Sequence, residues 1–153
     1  MLVRDLLQRK RSETVTVRPG DRVIPAAQML MSHGIGALPV VEAGVPIGLL
    51  SERDIVRAAA LNVDGLAGTA VEQIMRRPAP TCSADDPIPV VMARMTRDRL
   101  RHLIVTENGR LAGVISVGDL VKDRLDELET ETGVLRDYVA GQRAGSTIPG
   151  PRR

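Results

Sequence analysis

The chain has 153 residues and a mass of 16.5 kDa, with 43% hydrophobic residues, 26% charged residues and a formal net charge of +2. That length and balance suit one compact domain with its own core and exclude a fibrous or fully disordered chain. No apolar run reaches the roughly 18–20 residues of a membrane span, residues 1–10 lack the apolar stretch of a signal peptide, and the lone Cys82 excludes an internal disulfide.

Residues 3–7, VRDLL, open the chain and return in altered form as VEQIM at residues 71–75. Val15-Thr16-Val17 is a short β-prone segment leading to a turn that ends at Asp21, which is placed as a helix N-cap. Val23, Ala26, Ala27, Leu30 and Met31 then recur at helical spacing to about Ser32. Two β-like runs follow, residues 37–41 and 45–50, joined through Glu42-Ala43-Gly44 as a hairpin. Ser51 opens another helix, and the Gly-rich residues 58–69 connect onward. The same signals then recur. Thr81-Cys82 leads to Asp86, again placed as an N-cap, with Pro87 at the first helical position. Ile88, Val91, Met92 and Met95 mark a helix to about Arg97, and runs 103–106 and 111–115 flank Asn108-Gly109, a strong hairpin signal. Ser116 opens a last helix, expected to reach about Ala140. Val121, Leu125, Leu128, Leu135 and Tyr138 lie on it at steps of three, four or seven. That stripe suits a dimer contact, a partner contact or docking on its own domain. Residues 141–153, rich in Gly, Pro, Ser and Arg, are expected to be disordered.

The recurrence is a duplication. Residues 15–57 and 80–122 align without a gap at an offset of 65, with ten identical pairs, and such a period decides the architecture. Each unit reads β-α-β-β-α, a parallel crossover followed by an antiparallel hairpin. About 60 residues is marginal for a separate core, so the two copies are expected to pack sheet beside sheet. The expected fold is mixed α/β (α+β): repeat 1 over residues 1–60, a connector over 61–69, repeat 2 over 70–123, a C-terminal amphipathic helix over 124–140 and the tail.

Both copies end on Gly-h-h-Ser-x-x-Asp, with h apolar: Gly48 to Asp54, and Gly113 to Asp119. The serine stands at a helix N-terminus, where free amides and the helix dipole favour an anion. The aspartate, one helical turn on, can accept from two neighbouring hydroxyls, as acidic residues do from a ribose diol. Phosphate plus ribose means a nucleotide. Ser-x-x-Asp is equally the pattern of a capping box, in which serine and acid satisfy the helix's own amides. The spacing leaves both readings open.

The whole of each copy, with GALPVVEAG then PIGLLSERDIV and RHLIVTENG then LAGVISVGDLV, resembles the CBS domain, named for cystathionine beta-synthase. The resemblance covers about residues 2–123, and the sequence after it is similar to tails of small bacterial stand-alone CBS-pair proteins. It implies a pseudo-twofold CBS pair, or Bateman module, which commonly dimerises and binds adenosine-containing ligands in clefts between the repeats. No cofactor is required. The reversible ligands implied are AMP, ADP or ATP, with S-adenosylmethionine or NADH as further candidates. Carried over from the family pattern, one cleft combines Ser51, Asp54 and the adjoining Arg53 with Pro80, Thr81, Arg101, His102 and Leu103. The other combines Ser116 and Asp119 with Val15, Thr16, Gly36, Ala37 and Leu38. Backbone from Leu49, Leu50, Val114 and Ile115 frames the base. The first cleft gains Arg53, Arg101 and His102, whereas the second has Gly36, Ala37, Val117 and Gly118 at those places. Charge-assisted bonds to phosphate are about twice as strong as neutral ones. The Ser51/Asp54 cleft is therefore expected to be the better site for a charged nucleotide. Structural alternatives stand beside this: Arg101 paired with a carboxylate, His102 as a satisfied interface histidine, and His33 capping a helix end.

The function expected is a non-enzymatic cytoplasmic sensor, homodimeric, that passes nucleotide binding to an unknown protein partner. The alternative is an interaction module whose Ser-x-x-Asp turns are only caps. A nucleic-acid role for the basic residues from Arg94 to Arg101 is disfavoured, since the chain has no Phe, no Trp and one Tyr to stack bases. No nucleophile pair, phosphate loop or metal cluster points to an enzyme.

Overall fold

The computed structural model describes residues 1–144, with side chains through residue 142. They form two compact units, residues 1–117 and the helix onward from Gly118. In chain order the elements are α1 (Val3–Lys10), α2 (Val23–His33), β1 (Ala37–Glu42), β2 (Val45–Ser51), α3 (Glu52–Leu61), α4 (Val71–Ile74), β3 (Thr81–Ser83), α5 (Ile88–Asp98), β4 (His102–Glu107), β5 (Arg110–Ser116) and α6 (Val117–Ala144). The expected duplication of helix, hairpin and helix is present.

The two hairpins are copies in register as well as in sequence. Ala37 pairs with Ser51 and His102 with Ser116, and each ladder carries one irregularity, between Val40 and Val41 and between Val105 and Thr106. Both turns hold their two central residues at positive φ: Ala43 and Gly44 at 50° and 79°, Asn108 and Gly109 at 53° and 76°. That matches the twist of a two-residue hairpin.

The copies differ at their first strand. In the second, β3 runs parallel to β4, completing a three-stranded sheet. In the first, only Val17 makes a bridge, to Val40, and the sheet has two strands. The cause is two prolines. Ile104 donates to the Pro80 carbonyl at 2.9 Å and Ala84 to the Thr106 carbonyl at 3.1 Å. The equivalent positions are Pro39 and Pro19, which have no N–H to give.

The expected N-caps are corrected. Arg22 and Pro87 occupy those positions, and Asp21 and Asp86 stand one residue earlier. Each aspartate instead closes the turn before its helix: Asp21 Oδ2 accepts from the Arg18 amide at 2.8 Å, and Asp86 Oδ2 from the Ser83 amide at 2.9 Å. Pro87 is therefore the cap rather than the first helical residue. His33 Nδ1 lies 2.9 Å from the Met29 carbonyl in the last turn of α2, a helix-end contact of the kind expected.

The short helices before each copy are exchanged. The Val3 amide donates to the Asp86 carbonyl at 3.0 Å and the Arg4 amide to the Ala84 carbonyl at 2.9 Å, so α1 lies on the second copy. The Arg4 guanidinium ties it further, to Asp85 and to Glu107. Conversely, the Val71 amide donates to the Asp21 carbonyl at 2.7 Å and the Glu72 amide to the Pro19 carbonyl at 3.0 Å, so α4 lies on the first. Paired glycines admit the two helices. A Cβ on Gly48 would stand 2.5 Å from Met75 Sδ, and one on Gly113 would stand 2.8 Å from Leu7 Cδ2.

The core follows this exchange. Val17, Ala26, Leu30, Leu38, Val40 and Leu50 cluster with Val71 and Met75 from the crossover. A second cluster joins the copies themselves: Ala37 and Leu49 from the first meet Ile104 from the second. Each buried large aliphatic of this kind contributes about 1.5–3 kcal/mol relative to exposure. Cys82 is free and buried; burial, reinforced by the nearby Asp86 charge, pushes its thiol up to about 11. Only the thiolate reacts readily with disulfide reagents. At pH 8 the native protein should therefore resist labelling by a colorimetric aromatic disulfide, while the urea-unfolded chain labels within seconds. Equal rates would show that Cys82 is accessible.

The helix α6 has 28 residues and extends to Ala144, beyond the expected end at Ala140. The first four residues of the expected disordered tail are thus helical, and residues 145–153 lie outside the described residues. Along α6, Val121, Leu125, Leu128, Leu135 and Tyr138 are all exposed. Arg124 pairs with Glu127 at 3.1 Å, and Gln142 donates to the Tyr138 hydroxyl at 2.9 Å.

Candidate functional site

At the start of α3 the Ser-x-x-Asp turn closes on itself. The Ser51 amide and hydroxyl both donate to Asp54 Oδ2 at 2.8 Å, and the Asp54 amide donates to Ser51 Oγ at 3.2 Å. The capping-box reading is therefore realised. The Glu52 amide is also engaged, by the Gly36 carbonyl at 3.0 Å. Of the first three helical amides, that leaves only Arg53's without an acceptor among the described residues. All of the aspartate's contacts use Oδ2, so Oδ1 stands outside the box.

The same turn forms one wall of a cavity of about 430 Å³, within the range of small-molecule sites. Leu49, Ser51, Glu52, Arg53, Asp54 and Arg57 line it from β2 and α3. Ile74, Met75 and Arg76 line it from the crossover, and Arg99, Arg101, His102 and Gly36 complete it. Two hydrogen bonds lock Arg76 to the edge of β2: its amide donates to the Leu49 carbonyl at 2.8 Å and its carbonyl accepts from the Leu49 amide at 3.0 Å. His102 closes over Gly36, where a Cβ would stand 3.2 Å from the ring. Only glycine fits there without moving the imidazole.

The cavity is strongly basic. Arg53, Arg57, Arg76, Arg99 and Arg101 face only two lining carboxylates, Glu52 and Asp54. None of these five guanidinium groups makes a hydrogen bond or ion pair among the described residues. The nearby Asp98 is already engaged by Arg97 at 2.9 Å and Arg94 at 3.8 Å. The Arg97 hydrogen bond, with the charges of Arg94 and Arg76, holds its carboxyl below the usual carboxylate range. The basic stretch from Arg94 to Arg101 is thus divided. Arg94 and Arg97 are tied to Asp98, with Arg94 also donating to the Thr81 carbonyl, while Arg99 and Arg101 belong to the cavity.

Of the expected site residues, the structure brings together Ser51, Arg53, Asp54, Arg101 and His102. Gly36, expected beside Ser116, lies here instead. Leu50, Leu103, Leu38 and Ile115 are fully buried core side chains. Strand alternation turns Leu50 away from the face that carries Leu49, and Leu103 away from the face of His102. Thr81 is half-buried in β3 and paired with Ile104, Pro80 is buried, and neither lines the cavity. Ala37 sits in the cluster between the copies, Val15 packs on the first core, and Thr16 is half-buried beside it. Ser116 closes β5, and Asp119 stands in the first turn of α6.

Arg57, Arg76 and Arg99 had not been singled out for this cleft. Arg57 was legible, being one turn beyond Arg53 on α3. Arg76 was not, because its place depends on the exchange of α4 onto the first copy. Among the described residues no cluster could hold a metal ion, and no helix is long and apolar enough to cross a membrane.

Comparison with known proteins agrees with this architecture. The family model of the CBS domain matches residues 3–61 and again 71–126. The CBS domain-containing protein YhcV of Bacillus subtilis is 30% identical over 115 residues, spanning 74% of this chain and 81% of that protein. The crystal structure of the CBS-domain containing protein ATU1752 from Agrobacterium tumefaciens superposes with a TM-score of 0.75 at 42% identity, covering 81% of this chain and 99% of that one. The CBS domain protein PAE2072 from Pyrobaculum aerophilum, in complex with AMP, gives a TM-score of 0.71 at 28% identity, covering 86% of this chain and 99% of that one. Two matched repeats, two superposable hairpins and a shared core make this chain a member of the CBS-domain family, as a tandem CBS pair.

Proposed function

We propose that this CBS pair is a non-enzymatic cytoplasmic sensor that binds an adenosine-containing nucleotide, AMP, ADP or ATP, in the cavity at the start of α3. The observation that carries the reading is the meeting of five unpaired arginines with the Ser51–Asp54 turn in one cavity of ligand size. A phosphate placed near the Arg53 amide meets both a helix N-terminus and guanidinium groups. Asp54 Oδ1 is available to a ribose hydroxyl, and Leu49, Ile74 and Met75 supply aliphatic surface for a base in a lining that has no Phe, Tyr or Trp. The AMP complex of the Pyrobaculum relative supports this choice of ligand class. Binding is transmitted only if two arrangements of the repeats differ in affinity. Exposed apolar residues on α2, α3 and α5, such as Met31, Val56 and Val90, suit a second copy of the chain.

The competing reading, a ligand-free interaction module, draws on the closed capping box, which satisfies Ser51 and Asp54 without a ligand. Thermal shift separates the two. At a hundredfold excess over Kd, a nucleotide should raise the Tm by roughly 5–10 °C. If AMP, ADP, ATP, NADH and S-adenosylmethionine all leave the Tm unchanged at millimolar concentration, the interaction module stands.

A further inference from the structure

We infer that this cavity is built for a polyphosphate chain, so that it selects a nucleoside triphosphate over a monophosphate through Arg57, Arg76 and Arg99. The inference rests on the nucleotide reading above and goes further by assigning residues to phosphate number. A monophosphate needs little beyond what the start of α3 offers, namely the Arg53 amide, the Arg53 guanidinium and Arg101. Three further guanidinium groups line the same space, arriving from α3, the crossover and the loop before β4.

Their setting shows that they are not spent on the fold. All three are exposed, and none makes a hydrogen bond or ion pair among the described residues. One carboxylate near the crossover arginine is Asp98, whose charge feels Arg76 but whose oxygens are held by Arg97 and Arg94. Meanwhile the Arg76 backbone is clamped to Leu49 at both its N–H and its carbonyl, which fixes the root of that side chain. Five guanidinium groups outnumber the two lining carboxylates, Glu52 and Asp54, and the excess of like charge is repulsive. A chain of phosphates relieves that repulsion at several points, and each added phosphate oxygen gains charge-assisted donors. The capping box strengthens the case. With the Glu52 and Asp54 amides already engaged, further negative charge has to be met by side chains rather than by the helix end.

The test is isothermal titration of the full chain with AMP, ATP and inorganic tripolyphosphate, in magnesium-free buffer so that the phosphates keep their charge. ATP should bind at least about tenfold more tightly than AMP, and tripolyphosphate should displace it. In the Arg76→Ala/Arg99→Ala double variant, whose exposed sites leave folding intact, the preference for ATP over AMP should shrink from at least about tenfold to less than about threefold. AMP binding as tightly as ATP, or a double variant that weakens both equally, overturns the polyphosphate inference while the nucleotide reading survives. Failure of AMP and ATP alike to bind the wild-type chain overturns both readings.

Discussion

Asp54→Ala should weaken AMP or ATP binding by at least about tenfold, whereas Asp119→Ala should change it by less than about threefold. The two aspartates are equivalent in the duplication, so the comparison holds residue type and local pattern constant. What differs is the company. Asp54 shares a cavity with Arg53, Arg101 and three further arginines, while Asp119 follows the neutral Val117-Gly118. Asp54→Ala also removes the acceptor for the Ser51 amide and hydroxyl, and loss of such a hydrogen bond lowers stability by about 0.5–1.5 kcal/mol. Asp54→Asn separates the two effects. Its remaining amide oxygen can still accept from the Ser51 amide, so the Tm should hold, while the lost charge and acceptor should still weaken the nucleotide. If Asp54→Asn binds as wild type does, the turn is only a cap. Loss confined to Asp119→Ala would move the principal site to the other ending.

The features read well from the sequence were those carried by local rules. Asn108-Gly109 and Ala43-Gly44 announced their hairpins, and the offset of 65 announced that the second would copy the first. The N-caps were misplaced by one residue because an aspartate before a helix has two ways to close a turn. Here it accepts from an amide three residues back, which no spacing distinguishes. The missing first strand was readable in principle, since Pro19 and Pro39 replace the two donors that Ala84 and Ile104 supply. Half of the cavity was legible for a similar reason: Ser51, Arg53 and Asp54 belong to one turn of helix. The share of Arg76 was hidden because it depends on which copy the crossover packs against, a long-range choice that neither copy encodes alone.

That long-range choice yields the second large effect. Val3→Ala should destabilise the second copy and Val71→Ala the first, each by roughly 2–3 kcal/mol. Both valines have 0% exposure and both begin a helix that precedes one copy in sequence. Were each helix packed on its own copy, the pattern would be reversed. The structure instead joins Val3 to Asp86 and Val71 to Asp21 by backbone hydrogen bonds, and it places Val71 in the core cluster of Leu38 and Leu50. Hydrogen exchange reads the difference, because local opening reports the stability of each part separately. In Val3→Ala, amides of β4 and β5 should exchange faster than those of β1 and β2; in Val71→Ala, the order should invert. Uniform acceleration in both variants would mean that the copies unfold only as one unit, and the local prediction would fail. The exchange matters for function as well as folding. Because α4 is held by the first copy, the end of the crossover, with Arg76 locked to Leu49, is delivered to the same cavity as Arg99 and Arg101 of the second. A polyanion bound there would touch both copies and the segment that joins them, and would bias their relative arrangement by as much as its affinity differs between arrangements.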